Sequence, residues 1–240
     1  MAQPMWKGRL FAEGVVIVVS ILLAFAIDAG WTEHLERLEE AKIRLGLREE
    51  FQEYRGSLAS GIDQHGRMLA AMGLILESVE AGEWASREMT IDQAIGLAMQ
   101  PPTSDLGNGV RDALVQAGRL EMISDPVLRR RLAEWPRFFE ELLDDQVFGR
   151  RIVTEEIFPY MASMGLPLGA IMAALNDGPW PVTEVRIADS TELLQELLRD
   201  QHFRALMEIR YGFWAHTGGE YEDAIRAVDA ILSDLSPVRD

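Results

Sequence analysis

Cysteine is absent from this 240-residue chain, and lysine nearly so: Lys7 and Lys42 are two of 23 basic residues, the rest being arginine. Without cysteine there is no disulfide framework and no cysteine–zinc site. No Gly-x-x-x-x-Gly-Lys-Ser/Thr loop and no Gly-x-Ser-x-Gly elbow occurs. The four histidines, His34, His65, His202 and His216, form no His-Glu-x-x-His pair. His216 and Glu220 are four apart but straddle Gly218-Gly219, which argues against a shared metal. No catalytic residue, cofactor site or metal site is therefore expected, and the chain reads as a non-enzyme.

Positive charge is scarce too, with a formal net charge of −16. Residues 1–31 balance at zero, so residues 32–240 carry all of it. An acidic body repels nucleic acid and anionic headgroups, which excludes nucleic acid as the expected partner. Alternating apolar/polar runs, internal repeats and low-complexity tails are also missing. The fold class expected is all-α: one N-terminal transmembrane helix continuing into a long amphipathic helix, with a helical-bundle body.

The features present begin with Leu10 to Trp31. From Gly14 to Ile27 every residue is apolar or small, with Ser20 the only hydroxyl. As a helix, Leu10–Trp31 is roughly 33 Å long, about one bilayer core. Trp6 and Trp31 flank it as interfacial anchors. Lys7 and Arg9 would also suit a secretory signal, but Asp28, Gly30 and Trp31 come after the apolar run instead of a cleavage site. Glu13 and Asp28 lie about 60° apart around the helix, with Ser20 and Ala24 on the same side. That face either marks the two headgroup boundaries or packs on another helix through Ser20/Ala24. Basic residues on the two flanks do not decide orientation. A short N-terminus before a long body reads as a signal anchor in a bacterial inner membrane, with the N-terminus cytoplasmic and the body extracytoplasmic.

Behind the tail (1–9) and the span (10–31), residues 32–82 read as a charged neck and long amphipathic helix, and 83–240 as a helical body packing on it. Glu33/Arg37 and Glu40/Arg44 stand at ion-pair spacing in the neck. Apolar residues recur at three and four: Trp31, Leu35, Leu38, then Leu47, Phe51, Tyr54, Leu58, Ile62, His65, Leu69, Met72, Leu76 and Val79. Ala81-Gly82 ends that helix. Further helices are expected at Thr90–Met99, stopped by Pro101-Pro102, and at Asn108–Ala117, closed by Gly118. Asp125-Pro126 starts another, which Pro136 kinks and which runs toward Phe158; Pro159 and Pro167 break the segment beyond it. After a loop at 176–185, Asp189 caps a helix through Leu193 to Trp214. Gly218-Gly219 divides it from a last helix, Tyr221 to Leu235.

EGVVIVVSILLAFAIDAGWTEHLERLEEAKIRLGLREEF (13–51), with ALVQAGRLEMISDPVLRRRLAEW (113–135) and, more loosely, 197–232, resembles a widespread group of uncharacterised bacterial single-span membrane proteins. Gly30 and Thr32 depart from the polar amides common there. The resemblance implies the same architecture and no activity.

Arg129, Arg130, Arg131 and Arg137 form one basic patch, to be paired with nearby carboxylates or open to an acidic ligand or partner. Glu140, Glu141, Asp144 and Asp145 read as a solvated helix face. Trp135, Phe138, Phe139, Phe203, Phe213 and Trp214 read as core before ligand cage. The expected function is a membrane-anchored helical interaction protein, associating with itself or with another membrane protein through span and neck. The alternatives are a ligand-sensing body and, behind it, a hydrolase using Glu or His.

Overall fold

The computed structural model of the chain describes residues 5–84, 89–100, 106–107, 109–166 and 191–236, with residues 5–12, 92 and 191 described by their backbone alone. These residues are helical, with no strand among them. Helix α1 runs from Met5 to Ala81, α2 from Ile91 to Met99, α3 from Val110 to Gln116 and α4 from Pro126 to Arg151. A π-helical stretch, Ile152–Ile157, leads into α5, Phe158–Ser163. Helices α6 (Thr191–Arg199) and α7 (Gln201–Leu235) complete the body.

Local signals fix several boundaries. Span, neck and amphipathic segment form one uninterrupted 77-residue helix, α1, roughly 115 Å long. Gly82 comes next, with φ 74°. Thr90 N–H donates to the Gln93 side chain at 3.1 Å, starting α2. Gly118, at φ 65°, closes α3 and lets Arg119 N–H reach the Leu114 carbonyl at 2.8 Å. Asp125 Oδ1 accepts from Val127 and Leu128 N–H at 2.8 and 3.3 Å, and Pro126 opens α4. Pro136 lies inside α4 without ending it. Its missing N–H leaves the Leu132 carbonyl without a helical donor, and Arg111 Nε supplies one at 3.0 Å.

Three expectations are corrected. Pro159 does not break the chain's helix: it sits in the first turn of α5, where the missing N–H costs little, behind the wider π turns. Gly165, at φ 78°, marks the end. Gly218-Gly219 does not divide the C-terminal helix, because both glycines stay helical within α7. A Cβ on Gly218 would stand 3.1 Å from His65 Cε1, so glycine there serves close approach to α1. The division comes earlier, where Asp200 caps α7 by accepting from His202 and Phe203 N–H, both at 2.8 Å. Finally, the buried stripe of α1 beyond His65 is Met68, Met72 and Ile75, while Leu69, Leu76 and Val79 are half-buried. Pro101-Pro102, Pro167, the loop at 176–185 and Asp189 lie outside the described residues.

Helix α7 runs antiparallel to both α1 and α4. Arg55 pairs with Asp229 at 2.6 Å and His65 Nε2 meets the Trp214 carbonyl at 2.8 Å, so numbers fall on α7 as they rise on α1. Arg131 reaches the Ala230 carbonyl at 3.0 Å, and Gln146 donates to the Tyr221 hydroxyl at 3.1 Å. The core has two parts. Near the neck, Leu47, Phe51, Leu58, Trp135 and Tyr221 pack together. At the far end, Met72, Ile75, Ile95, Ile157, Phe203 and Trp214 do so. Helix α7 thus returns to the neck, where Arg44 reaches the Asp234 carbonyl at 2.6 Å and Arg48 bonds that of Leu235. Both guanidiniums satisfy terminal carbonyls at the negative end of a helix dipole.

Candidate functional site: the outward face of helix α1

From residue 13 to residue 39 every residue of helix α1 is exposed, and its apolar side chains from Val15 to Ile27 are exposed all round. A helix apolar on every side and long enough to cross a bilayer fits lipid better than water. The Ser20 hydroxyl donates to its own Val16 carbonyl at 2.8 Å, so its polarity is satisfied within the helix.

The uninterrupted helix fixes which residues share a side. At about 100° per residue, Glu13, Ser20, Ala24 and Asp28 project to one side, and Trp31, Leu35, Leu38 and Leu45 continue that line along the neck. The side chains that hold the body, Leu47, Phe51, Tyr54 and Leu58, project roughly opposite, about 150° away. Trp31, Leu35, Leu38 and Leu45 are 63%, 50%, 48% and 58% exposed. Trp6, the other tryptophan expected as an interfacial anchor, has a side chain outside the described residues.

Body and neck meet on the remaining side. Glu39 pairs with Arg119, and Glu40 Oε1 accepts from Ser124 N–H and Oγ at 3.0 and 2.9 Å. Both expected neck pairs form, Glu33 with Arg37 and Glu40 with Arg44, the latter at 3.5 Å. A cleft of about 630 Å³ opens beside them, lined by Glu33, Glu36, Arg37, Glu40, Glu121 and Met122.

The arginines are not one patch. Arg131 turns inward to Asp234 and the Ala230 carbonyl. Arg130 and Arg137 are exposed on another side of α4, and Arg129 points away from both. A smaller cleft, about 310 Å³, brings Tyr54, Arg111, Asp112, Trp135 and Phe139 together. Here buried Glu50 accepts from the Tyr54 hydroxyl at 2.6 Å and from Arg111 N–H at 3.0 Å. Burial and the Glu50 carboxylate push the Tyr54 phenol up.

One buried and two half-buried polar groups escaped sequence reasoning. Arg210 is wholly buried among the helices, with Nε on the Ala98 carbonyl at 2.7 Å, Nη1 on Gly149 at 2.8 Å and Nη2 on Gln100 at 3.2 Å. Burial pulls its pKa down to about 10. Glu220 is pushed up to about 7 by burial and by Asp145, with which it shares a hydrogen bond, so Asp145 is not simply a solvated face residue. Tyr160 is pushed up to about 12 by burial and by its hydrogen bond to Asp200, whose own carboxyl that bond holds low. No spacing announces such partners, because each lies on a different helix.

His65 is buried in contact with Trp214, and burial lowers its pKa. Among the described residues no group of His, Asp and Glu is arranged to hold a metal ion. Glu220, the carboxyl with the raised pKa, lines neither cleft. Comparison with models of protein families, with curated proteins and with solved structures finds no match to this chain.

Proposed function

We propose that the protein is a membrane-anchored helical interaction protein that associates with itself through the outward face of α1. One observation carries the reading: on a single unbroken helix, the small and polar face of the span and the exposed leucines of the neck share one side, away from the body. Water-exposed leucines in line with a small-residue span face favour helix–helix contact over isolation. In this reading the bilayer is bacterial and inner, the N-terminus is cytoplasmic and the body extracytoplasmic.

The test is the mass of the complex extracted natively from membranes in mild detergent. A homo-oligomer is expected, and a clean monomer overturns the proposal. Orientation is read by placing the chain's only cysteine at Ser236 and adding an impermeant maleimide to cells with a permeabilised outer membrane. Labelling confined to lysed cells overturns the extracytoplasmic body.

A ligand-sensing body is the second reading, and the cleft between Tyr54, Arg111 and Trp135 is in its favour. The Arg111 guanidinium is already committed to the Leu132 carbonyl and to Asp112, which weakens it. Thermal stabilisation by anionic metabolites would raise this reading above the first.

A further inference from the structure

We infer that two copies of this chain, and no more, zip in parallel along Trp31, Leu35, Leu38, Lys42 and Leu45. This rests on the self-association reading and names its partner, register and number. The five residues are spaced by four, three, four and three, the spacing of a coiled-coil seam with Leu35 and Lys42 at a positions and Trp31, Leu38 and Leu45 at d. The same register runs back through Asp28, Ala24, Ile21 and Ile17 into the span, so one line serves lipid and water alike.

The geometry leaves room for the second copy. The seam faces away from the body from Trp31 to Lys42, and Leu45, though 58% exposed, borders a shallow cleft with Arg48 and Leu235, so two neck helices meet while their bodies point outward. Glu49 and Gln52, next on the line, are exposed and polar and end the apolar seam. Further on, α2 covers this side of α1 at Ala71, Ile75 and Ser78, all 0% exposed, so the two α1 helices part below that level. Copies anchored in one bilayer with one orientation can meet only in parallel.

Lys42 sets the number. At an a position of a two-stranded coil, its stem lies along the seam while the ammonium reaches water. With three or four strands the same position is enclosed, and the ammonium would be buried without a partner. Ala41, flanking the seam on one side, is small, exposed and allows close approach, while Gly46 on the other flank is already filled by the body, its Cβ position lying 3.1 Å from Val110 Cγ2. Asp28 opposes the contact by setting two carboxylates side by side, but at the boundary of the span, where water and headgroups reach them.

A cysteine-free chain makes the test direct. Single-cysteine variants Leu38→Cys and Leu45→Cys, on the seam, and Glu36→Cys, on the body side, are treated in native membranes with a short bismaleimide. Cross-linked pairs are expected from the first two and none from the third. The native complex is expected to have the mass of two chains, and Leu38→Glu with Leu45→Glu should convert it to monomer with the body's helical circular dichroism unchanged. Three or more chains in the native complex overturn the two-stranded assignment. A homo-oligomer that cross-links equally from Glu36→Cys and Leu38→Cys overturns the seam and leaves self-association standing. A native monomer removes both.

Discussion

Replacing Gly149 by alanine will destabilise the body, although alanine is the better helix former by up to about 1 kcal/mol. Gly149 lies in α4 where that helix crosses α7. An added Cβ would stand 2.2 Å from Trp214 Cζ2 and 2.8 Å from Cε2. Carbon atoms in contact sit about 3.5–4.0 Å apart. Either the helices part by more than about an ångström, or the indole turns. The indole has nowhere to go. Trp214 is 0% exposed, with the His65 and Phe213 rings 5.8 and 5.3 Å away and the Arg210 guanidinium 5.8 Å from its own. Overpacking of this kind costs about 1–3 kcal/mol, and so deep a clash belongs at the upper end. Less the propensity gain, the loss is about 2 kcal/mol, which lowers the melting temperature by about 4–8 °C in a domain of this size. The assay is thermal unfolding of the detergent-solubilised chain, tracked by far-ultraviolet circular dichroism. Gly56→Ala is the control: no atom lies within 4 Å of its Cβ position, so that variant should melt at or above the wild type. Trp214→Leu in the Gly149→Ala background should cost less than the sum of the two single changes. If Gly149→Ala melts no lower than the wild type, the close crossing of α4 and α7 is wrong.

Arg210→Met leaves the Ala98, Gly149 and Gln100 carbonyls without their donor and should cost about 3 kcal/mol in chemical denaturation. Arg210→Lys should recover only part of that, since one ammonium cannot reach carbonyls on two helices and a loop. Glu220 predicts a pH slope. Its carboxyl is pushed up from 4.5 to about 7, so the proton is held more tightly in the folded state. Its contribution is full below pH 4.5 and is lost as pH rises through about 7; Glu220→Gln should abolish that slope and raise the unfolding midpoint at neutral pH. His65, lowered by burial, gives the opposite slope: its contribution is full above pH 6.5 and is lost as pH falls through its depressed value, and His65→Gln should remove it from the same titration.

Much of the chain was legible because its signals are local. Asp125-Pro126 and Gly118 act through dihedral preference and nearest-neighbour hydrogen bonds, and both stand where their residue types place them. The failures share one cause. Gly218-Gly219 and Pro159 carry the same local penalties, yet packing of Tyr221 against His65 of α1 and Gln146 of α4 holds the first pair in helix, and a π turn absorbs the second. The stripe beyond His65 shifted because α2, and not α7 alone, packs on that length of α1.

The sequence by itself determined the all-α class, an apolar helix long enough to cross a membrane and the charged neck, because periodicity, helix caps and an apolar run act over a few residues each. It also placed Glu13, Ser20, Ala24 and Asp28 on one side; that Trp31, Leu35 and Leu38 continue it followed once the helix proved unbroken from Met5 to Ala81. Tertiary structure alone decided that this side faces away from the body, that the four arginines part company, and that Arg210 sits wholly buried among carbonyls. Those outcomes depend on which helices meet, and that is settled by shape and burial summed over distant segments.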